Sequence, residues 1–252
     1  MTQTKNPVIV IPARLAATRF PKKPLADLAG VPMIVRVWQR AIDADIGPVV
    51  VACGDMEIVD VIKSVGGNAL LTEPDLPSGS DRVHKALSVF DPDERYNIVI
   101  NLQGDLPTID PALISTSLKP FDNLKVDMTT LAAEITDQRE RADENVVKVV
   151  ISFPSETSNI GRALYFSRAM VPYNTVGPHY HHIGVYGFKR NVLDRFVSLP
   201  ASRLEGLEKL EQLRALEAGM RIEVALVDTV PIGVDTPADL DRARALLAAG
   251  PS

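Results

Sequence analysis

Four β-branched residues in a row, Val8-Ile9-Val10-Ile11, give way further along to apolar positions that recur every three or four places: Met33, Ile34, Val37, Trp38 and Ala41. The first pattern predicts a buried strand, and the second a helix with one apolar face laid against a sheet. The alternation continues through PVVVAC at 48, DMEIVDVIKSVG, NALLT, SDRVHKALSVF and NIVINLQGD, which predicts a βαβ series and a parallel sheet. From about residue 125 the runs VDMTTLAAEI, VVKVVIS, ALYFSR and HHIGVYGF follow one another with little helix between them. That change predicts an antiparallel insertion. A leucine-rich helix over about 203–219, the strand RIEVALVD and the helix TPADLDRARALLAA then return the chain to α/β order. The expected organisation is one α/β domain over 1–252 with an open, mostly parallel sheet and an inserted accessory lobe at about 125–190.

Composition narrows the use of such a fold. With 252 residues and 46% hydrophobic content, the chain can bury a real core. Its formal net charge of -5 argues against a protein that coats nucleic acid, because that binding needs a broadly basic face. No apolar run approaches the ~18–20 residues that span a bilayer, and the start MTQTKNP lacks the plan of a signal peptide. A soluble, cytoplasmic chain without membrane insertion is expected. The single cysteine, Cys53, sits in an apolar strand run with no partner for a disulfide or a CxxC site, so it has no chemical role.

Ligands of open α/β sheets lie outside the carboxyl ends of the strands, and three strand exits here carry charge. Arg14, Arg19, Lys22 and Lys23 follow the first strand, Gln103-Gly104-Asp105 follows NIVINL, and Gly233-Val234-Asp235 follows the last strand. A polyphosphate held by the basic loop, with Asp105 and Asp235 holding Mg²⁺, accounts for all three, since Mg²⁺ prefers carboxylate and phosphate oxygens. Simpler readings compete. Loop cations are often only solvated, and Asp105 could merely end a strand in a Gly-Asp turn. Asp235 is less easily dismissed, because Thr236 as N-cap, Pro237 as first helical residue and Asp239 as capping-box partner already explain the helix start. The chain has no GxxxxGK[ST], no GxGxxG after the first strand and no GxSxG, which disfavours P-loop, dinucleotide-binding and hydrolase chemistry. His179, His181 and His182 invite a zinc reading, 179 and 181 sharing one face of a strand, but no cysteine or fourth histidine nearby in sequence completes the sphere.

Several blocks carry a family resemblance. IPARLAATRFPKKPLA at 11–26 resembles the signature IPAR-x-x-(S)-TR-x-P-x-KPLA of the 3-deoxy-manno-octulosonate (KDO) cytidylyltransferases, the CMP-KDO synthetases. PSGSDR at 77–82, NLQGDLP at 101–107, RALYFSR at 162–168, HIGVYGF at 182–188, LEKLEQLR at 207–214 and VDTPADL at 234–240 resemble further family blocks in the same order. The resemblance covers nearly the whole chain. The related sialate enzymes carry a first loop of the form R-x-GSKG-[IL]-x-x-KN, which TRFPKKPL does not match.

The resemblance implies a Rossmann-like nucleotidyltransferase sheet, an antiparallel dimerisation lobe and transfer of CMP from CTP to the anomeric hydroxyl of KDO for lipopolysaccharide assembly. Carried onto matching positions, it implies that Arg14, Arg19 and Lys23 hold the triphosphate and that Ser78, Gly79 and Arg82 lie beside the cytidine. It makes Asp105 and Asp235 the Mg²⁺ ligands and puts Gln103 next to the reacting sugar. Arg162, Arg168, His182, Tyr186, Glu211 and Gln212 would line the KDO pocket, although by spacing alone Glu211 and Gln212 read as a solvated helix, with Glu208 and Gln212 one turn apart. A homodimer is implied as well. The need for cations is physical: two unit charges ~4 Å apart repel by about 4 kcal/mol at an effective dielectric near 20. The chain departs from the pattern at Leu106, where many relatives have Glu, and at Ala17, where many have Ser. Both changes imply tuning rather than loss of activity. Transfer to another ulosonic acid such as 8-amino-KDO stays open at this stage. A nucleotide-binding protein without turnover is the other alternative, against which the Asp105 and Asp235 pair argues.

Overall fold

The computed structural model describes residues 4–16, 20–173 and 177–249, and the chain divides into two compact units. One unit runs up to Ser115 and resumes at Pro231, and the other spans Thr116–Val230. Ala17 and Arg19 lie outside the described residues.

In the first unit, β1 (Pro7–Ala13) is followed by α1 (Met33–Asp43), β2 (Val49–Cys53), α2 (Met56–Ser64), β3 (Asn68–Leu71), α3 (Gly79–Phe90), β4 (Ile98–Leu102) and α4 (Pro111–Thr116). The strands pair in parallel in the order β3-β2-β1-β4, with Ile9 opposite Val49 on one side and Ile100 on the other. A parallel sheet covered on both faces needs apolar residues at successive positions, and VIVI and VVVAC, buried throughout, meet that need. The helix α1 buries Met33, Ile34, Val37 and Ala41, as its spacing predicts, and Val35 besides, while Trp38 is only partly covered. The chain steps outward from β1 to β3 and then returns to β4 on the other side of β1. That reversal opens a crevice at the carboxyl ends of β1 and β4.

The second unit holds β5 (Met128–Glu134), α5 (Gln138–Ala142), β6 (Lys148–Ser152), β7 (Ile160–Ser167), β8 (Tyr180–Lys189), α6 (Arg190–Ser198), α7 (Arg203–Glu208), α8 (Leu213–Glu217) and β9 (Ile222–Val227). Its strands run β8-β5-β9-β7-β6, and β6 also pairs with β8 through Lys148 opposite His181 and Val149 opposite Tyr180. The strands therefore close on themselves. Closure satisfies backbone groups that a free sheet edge would leave unpaired.

Several expectations need correction. The unit reaches beyond the lobe expected at about 125–190, and RIEVALVD, expected to return the chain to α/β order, forms β9 between β5 and β7. The four runs expected to make that lobe do pair antiparallel, β5 with β8, β6 with β7 and β6 with β8, and β9 adds a parallel pairing with β5. The helix expected over about 203–219 breaks into α7 and α8, with Lys209 in the left-handed conformation at φ 58°. A capping box between Ser202 and Glu205 starts α7, and Arg214 reaches back to Glu205 at 2.6 Å, which folds the two short helices together.

The last helix, α9 (Pro237–Ala249), belongs to the first unit. Its start is as expected: Asp239 N donates to Thr236 Oγ1 at 3.3 Å, and Thr236 N donates to Asp239 Oδ2 at 2.8 Å. No helix among the described residues is long and apolar enough to cross a membrane.

Candidate active site

The crevice of the first unit is a cavity of about 450 Å³ lined by Arg14, Phe20, Lys23, Leu76, Ser78, Gly79, Arg82, Gln103, Gly104, Asp105 and Asp235 among others. Every described residue that the resemblance assigns to nucleotide or metal is there. Local chain geometry explains how they meet. Arg14 leaves the end of β1, and the next backbone amide, of Leu15, is tied to Asp55 Oδ2 at 2.7 Å. Gly104 carries the chain out of β4 past the Pro12 carbonyl, where a Cβ would come within 2.8 Å of that oxygen. Only glycine passes so close without displacing backbone.

Asp235 reaches the cavity by a route that strand order does not predict, since it follows a loop rather than an exit of the first sheet. Val234 is fully buried in a cluster with Leu28, Met33, Leu240 and Ala243, and its N–H donates to the Asp105 carbonyl at 2.9 Å. A plugged side chain and a backbone bond thus fix the two aspartates side by side. Lys23 Nζ lies between them, 3.1 Å from Asp105 Oδ2 and 3.0 Å from Asp235 Oδ1. Burial alone would lower the Lys23 pKa, but the charges of Asp105 and Asp235 outweigh it and leave it above its ordinary value. Lys23 is therefore an ammonium at neutral pH.

The other cations differ in role. Lys22 turns away from the cavity and pairs with Glu57 at 3.0 Å on the surface. Arg14 is exposed on the cavity wall and has no ion pair among the described residues. Arg82 is buried and donates to Thr72 Oγ1, to the Glu73 carbonyl at 3.0 Å and to the Pro74 carbonyl at 3.1 Å. Burial and the neighbouring Arg14 charge lower its pKa, although a guanidinium stays charged at any physiological pH. It braces the segment that leads to Leu76 and Ser78. Ser78 itself caps α3, accepting from Asp81 N at 3.2 Å and donating to Asp81 Oδ2 at 2.6 Å. Gln103 donates to Asn101 Oδ1 at 2.9 Å, which leaves its amide oxygen toward Gly79. Leu106 is buried, and Cys53 is a buried thiol pushed up to about 12, chiefly by burial.

The second unit carries the expected sugar residues. His182 is buried with Nε2 3.0 Å from Thr130 Oγ1, edge-on to Phe166 at 4.9 Å and 5.5 Å from the Tyr186 ring. Burial, with a smaller contribution from His181, pushes the His182 pKa down to about 3, so its ring is neutral. Burial, helped by the charge of Glu211, drives the Tyr186 phenol far above its ordinary value. Gln212 is 3% exposed and, among the described residues, its Nε2 has no hydrogen-bond partner. The solvated-helix expectation for Glu211 and Gln212 is overturned, because both lie in the break between α7 and α8. Arg168 closes β7, and its Nη2 has no partner among the described residues. Arg162 stands apart. It sits at the other end of β7, opposite Glu223 of β9, and lines a different hollow of about 520 Å³ with Arg221 and Phe153. Six residues along a strand separate it from Arg168 by roughly 20 Å.

Some functional neighbours escape sequence reasoning. Phe20 and Leu76 give the first cavity its apolar wall, and Thr130 holds His182. Lys148 carried a signal, as a single charge inside VVKVV, since lysine in a buried strand is rare unless its ammonium is held. Among the described residues no group of three His, Cys, Asp or Glu could hold a metal, so any ion at Asp105 and Asp235 draws on other oxygens as well.

The cytidylyltransferase family model matches residues 8–222. The 3-deoxy-manno-octulosonate cytidylyltransferase of Paramagnetospirillum magneticum is 59% identical over 97% of this chain and 98% of its own length. Its counterpart from Rhodospirillum rubrum is 59% identical over 98% of this chain and its full length. Among solved structures, CMP:2-keto-3-deoxy-manno-octonic acid synthetase complexed with CTP superposes with a TM-score of 0.88 at 38% identity, covering 97% of this chain and 99% of the other. A 4-diphosphocytidyl-2C-methyl-D-erythritol synthase from Anaerococcus prevotii shares only the fold, with a TM-score of 0.63 at 11% identity over 97% of this chain and 99% of its own. A crevice lined by a cationic loop and two fixed aspartates, on a chain so widely matched, belongs to an enzyme of the 3-deoxy-manno-octulosonate cytidylyltransferase family.

Proposed function

We propose that this chain transfers CMP from CTP to the anomeric hydroxyl of KDO and releases pyrophosphate, the product serving lipopolysaccharide assembly. The observation that carries this reading is the Lys23 ammonium held by Asp105 and Asp235 in a cavity at the sheet's switch point. The hydroxyl oxygen of the sugar bonds to the α-phosphorus, the bond from that phosphorus to the bridging oxygen breaks, and the hydroxyl proton passes to water. No covalent enzyme intermediate is needed.

The donor set fits Mg²⁺, which is commonly bound by one or two carboxylates plus substrate phosphate and water. Asp105 and Asp235 would hold it, and both already converge on a single cation. When bound, such an ion supplies charge neutralisation at the phosphates and eases departure of pyrophosphate. Arg14 and Lys23, with Arg19, take the triphosphate and offset the repulsion between the two anionic substrates. Ser78 and Gly79 approach the cytidine through backbone at the start of α3, while Arg82 shapes that wall from behind. Gln103 faces the reacting sugar. In the second unit, Arg168 takes the KDO carboxylate, and His182, Tyr186, Glu211 and Gln212 take its hydroxyls. A neutral His182 suits that role, because it can accept or donate without adding charge. Arg162 is left out of this set on its distance. In the same reading the chain acts in the cytoplasm as a homodimer, which light scattering and cell fractionation would test.

The deciding experiment measures pyrophosphate release with CTP, UTP and ATP against KDO, 8-amino-KDO and sialate. Turnover confined to CTP with KDO is expected. Faster turnover with another acid would reassign the sugar, and silence in every CTP well would leave only a nucleotide-binding protein.

A further inference from the structure

Lys148 is fully buried, yet no carboxylate lies within ion-pair distance of it among the described residues. Its ammonium instead donates to two backbone carbonyls, of Arg168 at 2.5 Å and Asp143 at 2.8 Å. It stands where the strands of the second unit close, opposite Ser167 on β7 and His181 on β8. Burying an ammonium is costly, so a site that keeps one must use it. The use is visible around Arg168. Glu208 Oε2 accepts from the Arg168 amide at 2.9 Å, Glu208 Oε1 accepts from Ser167 Oγ at 2.7 Å, and the Glu208 carbonyl accepts from Arg168 Nε at 2.9 Å. The Glu144 carbonyl accepts from Arg168 Nη1 at 3.0 Å. Arg168 is thus held at its amide, its carbonyl and two of its three guanidinium nitrogens, and Nη2 is left over.

We infer that Lys148 and Glu208 form a two-sided clamp that fixes the end of β7 and so aims the remaining guanidinium edge of Arg168 at a carboxylate ligand. This rests on the assignment of Arg168 to the sugar carboxylate. The two clamp residues bear opposite charges on either side of the Arg168 backbone, one on its carbonyl and one on its amide. A guanidinium reads a carboxylate well only when its plane is set, because paired N–H donors require two contacts at once. Neither clamp residue touches the ligand, so both are positioning residues. Their removal should act on sugar binding and leave CTP binding alone.

The test is a double-mutant cycle of Lys148→Met with Arg168→Ala, reading the KM for KDO, the KM for CTP and kcat. Lys148→Met keeps the apolar stem and removes the donor. It should raise the KM for KDO roughly tenfold, as expected for loss of charge-assisted bonds to a residue that must be aimed, with the KM for CTP within about twofold. In the Arg168→Ala background the same change should add almost nothing, since contacts that act through one another are not additive. Should Lys148→Met fail to fold, as a thermal melt would reveal, Glu208→Gln carries the same cycle from the other side of the clamp. Full additivity of either clamp variant with Arg168→Ala overturns the clamp while leaving Arg168 on the sugar. An unchanged KM for KDO in Arg168→Ala itself removes the assignment on which the clamp depends, and the clamp with it.

Discussion

Two polar constellations in this chain are built on opposite plans. In the first unit, Lys23 opens a short 3-10 turn (Lys23–Leu25) and meets Asp105 and Asp235, which sit on loops, at the mouth of a crevice, with Asp235 half exposed, and their ion pairs can exchange for phosphate or metal. In the second unit, Lys148, Thr130 and His182 are buried within strands and satisfied by fixed partners. The first plan suits a highly charged ligand that brings its own counter-ions and needs cations free to turn toward it. The second suits a sugar, whose hydroxyls and carboxylate must be met by donors already in place, because a polar group lacking its partner is penalised in a buried pocket.

The largest expected effect bears on the exchangeable plan. Excess EDTA should abolish pyrophosphate release, and Mg²⁺ should restore it; release at full rate under chelation would mean that Asp105 and Asp235 serve only Lys23. Next comes the fixed plan. Arg168→Ala should raise the KM for KDO by about tenfold or more, the loss typical of a charge-assisted contact, while calorimetry finds CTP affinity nearly unchanged. A large loss of CTP affinity with the sugar KM intact would exchange the two roles.

Buried His182 makes the fixed plan sensitive to acid. Its folded pKa is depressed to about 3 from an ordinary 6.5, so below about 6.5 the unfolded chain takes up a proton that the folded chain refuses. Stability should fall as pH drops from 6.5, by at most about 1.4 kcal/mol per pH unit from this group. His182→Gln should flatten that slope in denaturant titrations, and an unchanged slope would mean that the ring is not held neutral. The smallest effect concerns Lys23. Lys23→Met leaves two carboxylates facing each other without their cation, so Mn²⁺ binding without nucleotide, followed by electron paramagnetic resonance, should tighten several-fold, the scale of one partly exposed charge pair. Weaker Mn²⁺ binding would instead make Lys23 part of the framework that holds the pair.

The contrast also explains what the sequence made legible. The strand runs VIVI, VVVAC and IVINL, the cationic loop and Thr236-Pro237-Asp239 are local signals, each read within a few residues, and they locate the first cavity. Arg14, Lys23, Ser78, Gly79, Arg82, Gln103, Asp105 and Asp235 therefore meet as expected, although Asp235 arrives through the Val234 plug rather than from a strand end. The second unit depends on register between distant strands, which no local pattern encodes. The parallel pairing of β5 with β9, the break at Lys209, the burial of Gln212 and the separation of Arg162 from Arg168 all follow from that register. A lysine among valines hinted that something buried was held, but not by what.

Asp235→Asn separates a functional pairing of Asp235 with Asp105 from a mere lead-in to α9. Thr236 and Asp239 already cap the helix, so the change should leave the fold intact and shift the melting temperature little. An amide keeps the size and one oxygen but loses the charge that a hard cation needs. Turnover should fall by roughly a hundredfold or more, with partial recovery at high Mg²⁺, since each 1.36 kcal/mol lost from the transition state is about tenfold in rate. Folded Asp235→Asn protein that turns over within a few-fold of the parent at ordinary Mg²⁺ would contradict the account.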